Sequence, residues 1–288
     1  MKKVIINADD FGLSPGVNRG ILCGFRDGIV TSTTMMVNLP AFDDAVQIIK
    51  ENPDLPVGIH LTLLWGKPVT DFFKIPTLVC RNGCFPNSLT VLSRRHFLGM
   101  LSDNEIKEEF RNQILKFMNT GIIPTHLDTH KHIHSLQSVL KAMIAVGSEF
   151  GINKIRLPVE NPLNHTNLSN NIKIPHPSWK AVCKRNLVKF LCRKNSKILK
   201  NNDLKYPDYF LGIDYMDILN TDILLAMLNS LRDGVTEIMC HPGYIDDQLK
   251  EYSKIPPHRD IELKSIIDER LKDYIIKNNI DIISYKEL

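Results

Sequence analysis

The stretch Val4-Ile5-Ile6-Asn7-Ala8-Asp9-Asp10-Phe11-Gly12 places a short apolar segment directly before two adjacent carboxylates. Its apolar part predicts a buried strand over Val4–Asn7, and Phe11-Gly12 predicts the turn that ends it. Burying an unpaired carboxylate inside a strand costs several kcal/mol, so we expect Asp9 and Asp10 at the carboxyl end of this strand. There, one carboxylate can bind a metal ion while its neighbour faces a substrate.

Strand-like and amphipathic helix-like segments alternate along most of the 288 residues. This alternation predicts a parallel sheet with crossover helices. About seven such units without a glycine-rich dinucleotide-binding fingerprint favour a closed α/β barrel over an open sheet. The further predicted strands are Thr31–Val37, Leu55–His60, Ile122–Leu127, Lys154–Leu157, Glu237–Cys240 and Ile280–Ser284. The predicted helices are Gly16–Arg26, Phe42–Lys50, Glu105–Met118, Leu136–Phe150, Ile218–Leu231 and Ile261–Lys277.

We expect a single domain over residues 1–288, interrupted by insertions at approximately 65–96 and 160–209. The first insertion is loop-rich, and the second begins with several prolines and then turns helical and basic. Within it, Lys180–Lys200 contains eight Lys or Arg residues and no acidic residue. This segment fits a solvated helix face that covers the barrel, and it also fits an amphipathic helix that approaches a membrane or a lipid-linked sugar.

Bulk properties exclude some classes of protein. The hydrophobic content of 43% and the charged content of 24% are typical of a globular protein with a sizeable core. A net charge of +4 is small for this length and argues against nucleic-acid binding. No apolar stretch approaches the roughly 18 residues that span a bilayer, and the N-terminus lacks the features of a signal peptide. We therefore expect a cytoplasmic protein without stable membrane insertion. The assembly that we consider is a homodimer.

Polar residues gather at the predicted strand ends. In a parallel barrel, function concentrates at the carboxyl ends of the strands and in the loops that follow them. The candidates there are Asp9, Asp10, His60, Asp128, His130, Arg156 and His241.

The densest signal is the run Thr125-His126-Leu127-Asp128-Thr129-His130-Lys131-His132-Ile133-His134. Four histidines cannot all bind one metal ion alongside Asp10 and His60, so most of them must have supporting or structural roles. Asp128 could accept the second N–H of a ligating imidazole.

Three candidates also have ordinary explanations when each is taken alone. His60 fits a half-buried histidine with one hydrogen-bond partner, and His241 fits a turn histidine before Pro242-Gly243. As a functional residue, His241 would be a general acid or base, because the unperturbed pKa of histidine lies near physiological pH. Arg156 lies among apolar residues and needs either a carboxylate in a structural ion pair or an anionic transition state.

Five motifs in one order resemble those of the YdjC-like carbohydrate deacetylases, which include chitooligosaccharide and hopanoid-biosynthesis deacetylases. The motifs are Asn-Ala-Asp-Asp-Phe-Gly at 7–12, Thr31-Ser32-Thr33-Thr34, Gly58-Ile59-His60, Thr125-His126-Leu127-Asp128-Thr129-His130 and Cys240-His241-Pro242-Gly243. The resemblance runs from residue 3 to about 285 and is weakest over 160–210.

The resemblance implies a distorted (β/α) barrel that hydrolyses the linear amide C–N bond of an N-acetylated sugar. It also implies that Asp10, His60 and His130 hold one divalent metal ion and that Asp9 is the general base. Magnesium is the metal implied by the family, whereas two imidazoles and one carboxylate also suit zinc.

The implied chemistry is coherent. A divalent metal lowers the pKa of bound water and stabilises the tetrahedral oxyanion, while Asp9 takes a proton from the attacking water. His241 is the best available acid to protonate the departing amine, and Arg156 and Arg259 are candidates to orient Asp9 or to bind the sugar. Two other classes stay open: a metal-dependent phosphoesterase with two metals about 3.5–4 Å apart, and a non-catalytic sugar-binding barrel.

Overall fold

The structure is a computed structural model that describes residues 1–163, 174–252 and 257–288. Its strands are β1 (Lys2–Phe11), β2 (Ser32–Met35), β3 (Val57–Leu61), β4 (Leu127–Thr129), β5 (Tyr209–Leu211), β6 (Gly234–Cys240) and β7 (Asp281–Ile282). Its α-helices are α1 (Pro15–Arg26), α2 (Phe42–Glu51), α3 (Leu89–Phe97), α4 (Asp103–Met118), α5 (Gln137–Glu149), α6 (Trp179–Lys194), α7 (Ser196–Lys200), α8 (Thr221–Asn229), α9 (Asp247–Tyr252), α10 (Pro257–Ile266) and α11 (Glu269–Lys277). Short 3₁₀ helices span Phe72–Lys74 and His130–Ser135.

The seven strands form one parallel sheet in the order β4-β3-β2-β1-β6-β5, and β7 pairs with the beginning of β1. Isolated bridges continue the pairing between the two edge strands. They join Leu127 to Ile155, Lys154 to Lys205, and Glu160 to Phe210. The sheet therefore curls into a distorted barrel with helices around it. The predicted α/β distorted barrel of about seven parallel strands is confirmed.

Strand β1 is central in the sheet, pairing with β6 along Lys2 to Ala8 and with β2 from Asn7 onwards. It is longer than the predicted Val4–Asn7, and both Asp9 and Asp10 lie inside it, close to its carboxyl end. The strand therefore ends at Phe11 rather than at the predicted Asn7, and the two carboxylates lie near its carboxyl end as expected. The strand can contain them because each forms an ion pair with an arginine.

Other strand boundaries also differ from the prediction. The strand predicted over Ile122–Leu127 lies at Leu127–Thr129, so only its last residue was placed correctly. The segment Lys154–Leu157 forms isolated bridges rather than a continuous strand. Strand β5 was not predicted, because three residues are too few to give a periodic pattern.

Most predicted helices are present with boundaries shifted by up to three residues. The helix predicted over Ile261–Lys277 is divided into α10 and α11, because the side chain of Asp268 accepts a hydrogen bond from the backbone N–H of Arg270 and begins a new helix. The first predicted insertion contributes α3, and the second contributes α6 and α7. Residues 164–173 of the second insertion lie outside the described residues.

A large continuous apolar core fills most of the space between the sheet and its helices, and a second, small apolar cluster lies beneath α6. Helix α1 lies against the loop after β6 so closely that a Cβ atom on Gly20 would lie 2.4 Å from the Cα atom of Gly243. This contact fixes the turn that carries His241. None of the helices in the described ranges is both long and apolar enough to span a membrane.

Candidate active site

Both carboxylates of β1 reach one cavity, although neighbouring side chains of a regular strand point to opposite faces. A bulge in β1 breaks this alternation, and Asp10 adopts the left-handed conformation with a φ of 70°. As a result Asp9 faces Arg156, whereas Asp10 faces two histidines and Arg259.

Asp10, His60 and His130 form a buried triangle of potential metal ligands. Oδ1 of Asp10 lies 3.1 Å from Nδ1 of His130 and 3.5 Å from Nε2 of His60. One ligand atom from each residue lies within 4.8 Å of the other two. Nε2 of His130 is buried and has no hydrogen-bond partner within the described part of the chain. The three side chains and this orphaned nitrogen fit a divalent metal ion.

Asp128 on β4 orients the imidazole of His60. Its Oδ1 lies 2.6 Å from Nδ1 of His60, so that Nε2 of the same ring points towards Asp10. A carboxylate behind a histidine is the usual support of a metal ligand. Burial acts to lower the pKa of His60, but the charge and hydrogen bond of Asp128, together with the charges of Asp9 and Asp10, raise this pKa to about 9.

The other two ligand candidates are already in the protonation states that a metal requires. Burial acts to raise the pKa of Asp10, but the charge of Arg259 holds it well below its usual range. Burial lowers the pKa of His130, and its hydrogen bond to Asp10 offsets only part of that effect. At neutral pH, Asp10 is therefore ionised and His130 is neutral.

Arg156 is fully buried and binds three carboxylates. Its two Nη atoms donate to the two oxygens of Asp9 at 2.6 Å each, and Nη1 also lies 2.6 Å from Oδ2 of Asp128. Its Nε donates to Oε1 of Glu237, and the hydroxyl of Tyr285 donates to the other oxygen of Glu237. Burial acts to raise the pKa of Asp9, but the charge of Arg156 prevails and lowers it. Arg156 thus forms the ion pairs that the sequence left as one of two explanations.

His241 follows β6 and is held by Glu262 of α10. Its backbone N–H donates to Oε2 of Glu262 at 2.5 Å, and its Nδ1 lies 3.9 Å from the same oxygen. Burial lowers the pKa of His241 to about 4, and burial raises the pKa of Glu262 to about 8. His241 is therefore neutral and Glu262 is mostly protonated at pH 7.

These groups line a cavity of about 1060 Å³ whose outer wall comes from the insertions. The indole of Trp65 packs against His130 with ring centroids 4.5 Å apart. Lys184 of α6 enters from the opposite insertion, and its Nζ donates to Sδ of Met216. A cavity of this size lies at the upper end of the range of small-molecule binding sites.

A second group of potential metal ligands, Asp9, His60 and Asp128, overlaps the first group. It shares His60 with the triangle, and the guanidinium of Arg156 already contacts both of its carboxylates at 2.6 Å. The described residues therefore favour one metal ion over two, because a second cation would compete with Arg156 for the same oxygens.

Two other histidines of the 126–134 run, His126 and His134, have mainly packing roles. The ring of His126 stacks on Tyr285 at 3.5 Å and occupies the space that a Cβ on Gly58 would need. His134 shares a hydrogen bond of 2.6 Å with the hydroxyl of Thr129. The expectation that most of these histidines are not metal ligands agrees with these contacts.

The structure brings all the candidate residues from the sequence around one cavity or directly behind it. Sequence reasoning missed Glu237, Glu262, Trp65 and Lys184 as neighbours of this site. Glu237 carried a usable signal, since it is a charged residue within an apolar strand, as Arg156 is in its own segment. Glu262 carried none, because an acid on an amphipathic helix is ordinary.

The model of the YdjC-like protein family matches residues 3–277. The chain belongs to the YdjC-like family. Full-length relatives of this YdjC-like protein are named carbohydrate deacetylase. They include proteins from Thermoanaerobacter pseudethanolicus (34% identity, 100% of both chains), Clostridium beijerinckii (32%, 99% of this chain and 100% of the relative) and Geobacillus stearothermophilus (33%, 98% and 96%). The family resemblance inferred from the sequence motifs is confirmed.

Two solved structures share the fold of this YdjC-like chain. A protein from Enterococcus faecalis, described as a cellobiose-phosphate cleavage protein, is 27% identical with a TM-score of 0.79, covering 99% of this chain and 98% of that one. The lactam utilization protein from Thermus thermophilus is 13% identical with a TM-score of 0.50 over 98% and 99% of the two chains. The second likeness concerns the fold alone.

Proposed function

We propose that this chain is a metal-dependent carbohydrate deacetylase that hydrolyses the N-acetyl group of an acetylated sugar. The observation that carries the proposal is the buried triangle of Asp10, His60 and His130, with Asp9 and His241 lining the same cavity. The relatives named carbohydrate deacetylase support the same reaction.

Asp10, His60 and His130 would hold one divalent ion, and Asp128 would keep His60 in the ligating orientation. Such an ion acidifies bound water and polarises the acetamide carbonyl. Magnesium follows from the family resemblance, while the mixed imidazole and carboxylate ligands also suit zinc. Arg259 would limit the negative charge that Asp10 presents to the ion.

Asp9 would act as the general base. Its two oxygens are bound by Arg156, which fixes their direction but also lowers the pKa of the carboxylate. Asp9 is consequently a weak base, and it can take a proton only from a water molecule that is already acidified. Arg156 would thus be a positioning residue whose ion pairs keep Asp9 aimed into the cavity.

His241 would protonate the departing amine. Since burial lowers its pKa to about 4, it would receive the proton during the reaction rather than carry it beforehand. The proton that Asp9 would take from the water would pass to His241 and from there to the amine nitrogen as the C–N bond breaks, so that one proton is taken up and one is delivered. The cytoplasmic location and a homodimeric assembly stay predictions from the sequence.

The test is release of acetate from N-acetylated mono- and oligosaccharides by protein that has been stripped with a chelator and then reloaded. We expect no release from the stripped protein and recovery with one divalent ion per chain. Metal-independent acetate release would contradict the metal assignment. Hydrolysis of a phosphate ester such as p-nitrophenyl phosphate, without acetate release, would instead identify a phosphoesterase.

The role of His241 is tested by comparing an acetamide with an activated acetate ester. An activated ester has a leaving group that departs without a proton, so His241→Ala should slow the amide far more than the ester. His258→Ala is the matched control, since His258 lines the same cavity but lies on α10 rather than in the turn after β6. Equal losses on both substrates would place His241 in substrate binding.

A further inference from the structure

The outward face of α6 carries a stripe of exposed apolar side chains, which we call the α6 stripe: Trp179, Leu187 and Phe190. Trp179 is 72% exposed and Phe190 is 63% exposed. The spacing of eight and then three residues places the three side chains on one side of a helix. The opposite side of the helix is buried, where Val188 and Cys192 pack in a small core with Phe210, Ile213 and Met239.

A second group of exposed apolar side chains lies at the end of α3 and is called the α3 end: Phe97, Leu98 and Met100. The two helices pack around the start of α5. Asn195 donates to the backbone carbonyl of Ser135, and His96 shares a hydrogen bond with Ser138 at 2.8 Å. Burial lowers the pKa of His96, and the nearby charge of Lys194 adds to that effect. The α6 stripe and the α3 end therefore belong to neighbouring parts of the surface.

The charged residues of the segment that carries the α6 stripe are all positive. Lys180–Lys200 carries eight basic and no acidic residues, while the whole chain has a net charge of +4, so the remainder of the protein has a net charge of −4. Two of the eight point inwards: Arg185 pairs with Asp214, and Lys184 lines the cavity. Most of the others are exposed, namely Lys180, Arg193, Lys194, Lys197 and Lys200.

The same two helices form part of the wall of the candidate active site. Leu89 at the beginning of α3 and Lys184 in α6 both line the cavity. A surface that contacts the outward faces of these helices would lie beside the entrance to the cavity. Several large apolar side chains exposed on neighbouring helices favour an interaction surface.

We propose that the α6 stripe and the α3 end dock the protein peripherally on an anionic lipid surface. Anionic headgroups complement the cations, and the apolar side chains between them can enter the interface below the headgroups. A tryptophan such as Trp179 is favoured at that depth. This inference goes beyond the proposed deacetylase activity and holds whichever sugar is the substrate.

Two other occupants fit the charges and side chains less well. A second copy of the chain would bring two strongly basic faces together, and their repulsion would oppose a symmetric dimer through this surface. A nucleic acid would satisfy the cations, but it gains little from aliphatic side chains such as Leu187, Leu98 and Met100, because bases stack on aromatic rings.

The test is co-sedimentation of the full-length protein with vesicles of phosphatidylcholine alone and with vesicles that contain about 30 mol% phosphatidylglycerol. We expect binding to the anionic vesicles only, weakened by added salt. Tryptophan emission should shift to shorter wavelength on binding, and the shift should be lost in Trp179→Phe, since Trp65 is the only other tryptophan.

The double variant Phe190→Ser with Lys194→Glu should weaken vesicle binding by about tenfold or more. The matched control is Ile276→Ser with Lys277→Glu on α11, which makes the same changes at exposed positions. Circular dichroism and thermal unfolding establish that both variants fold. The proposal is overturned if wild-type protein ignores anionic vesicles, or if the α6 variant and the control bind equally well. It is also overturned if the α6 variant abolishes dimerisation or DNA binding while leaving vesicle binding intact.

Discussion

Metal binding should release about one proton from this protein at neutral pH, and that proton should come from His60. In this structure His60 lies between two carboxylates, with Nδ1 2.6 Å from Asp128 and Nε2 3.5 Å from Asp10. The resulting pKa of about 9 keeps the imidazole protonated at pH 7. A ligating imidazole is neutral, so a metal ion at Nε2 must displace this proton.

The magnitude follows from the protonation states of the three ligand candidates. His130 is neutral and Asp10 is ionised at pH 7, because their pKa values are lowered, so neither has a proton to lose. With a pKa of about 9, His60 is about 99% protonated at pH 7 and half protonated at pH 9. Release should therefore be about one proton at pH 7, and the metal affinity should rise by about tenfold per pH unit below pH 9.

The same pKa shift links the stability of the metal-free protein to pH. A histidine whose pKa is raised on folding stabilises the folded state below the unfolded pKa of about 6.5, and this contribution is lost as pH rises towards 9. For His60 the shift corresponds to about 3 kcal/mol. The metal-loaded protein lacks this contribution at every pH, because its His60 is neutral. The difference between the free energies of unfolding of the two forms at each pH isolates this contribution, because groups remote from the metal titrate equally in both forms.

The assay is calorimetric titration of chelator-treated protein with metal at pH 7 in PIPES and in MOPS, two buffers that bind divalent metal ions weakly and differ in their heats of ionisation. The difference between the two heats gives the number of protons released. The variant Asp128→Asn removes the main charge that raises the pKa of His60, so release should fall to about a quarter of a proton or less. Release near zero from the wild-type protein at pH 7 would refute the reasoning.

Three further predictions follow from the same cavity. Asp9→Asn should lower turnover by about 10²–10⁴-fold while metal content stays near that of wild type, and metal loss in this variant but not in Asp10→Asn would reverse the two roles. Glu262→Gln should change activity little at pH 6.5, because the pKa of Glu262 is about 8 and a glutamine imitates its neutral form. The change in the wild-type rate that accompanies ionisation of Glu262 near pH 8 should be absent from the pH profile of this variant, and inactivity of the variant at pH 6.5 would contradict this role. Arg156→Met should lower the free energy of unfolding by about 3–5 kcal/mol in urea, because it leaves buried carboxylates without their partner. The control Arg111→Met, at a partly exposed ion pair, should lower it by no more than about 1 kcal/mol. Similar losses in both variants would show that Arg156 does not hold the buried carboxylates.

The barrel was predictable because its signals are local and repeated. Apolar segments such as Val4–Asn7 alternate with amphipathic helices such as Asp103–Met118, and that rhythm requires only the spacing of apolar residues. The parts that failed depend on distant contacts. Strand β5 is three residues long, and the 154–156 segment pairs through single bridges, so neither has a pattern of its own.

Part of the candidate site was predictable because its charged residues interrupt apolar segments, whereas Glu262 was missed because its role depends on the fold. Charged residues inside apolar segments stand out from the sequence, as Asp10, His60 and Arg156 do. Glu262 lies on a helix whose exposed positions are also charged, and only the fold shows that its oxygen receives the backbone N–H of His241. Chain order likewise gives no sign that one guanidinium, that of Arg156, joins Asp9, Asp128 and Glu237.

Backbone strain in this protein is concentrated around the cavity, and the sequence gives no warning of it. Five non-glycine residues in the described ranges have a positive φ, and four of them, Asp10, Trp65, Lys131 and His132, line the cavity. Such conformations cost on the order of 1–3 kcal/mol each and persist only when surrounding contacts hold them. Here the holding contacts are the ion pair of Asp10 with Arg259 and the packing of Trp65 on His130. A glycine at any of these positions would remove the strain, but it would also remove the side chain: the carboxylate of Asp10, for example, or the indole ring of Trp65. The presence of larger residues there indicates that their side chains determine what the cavity can bind.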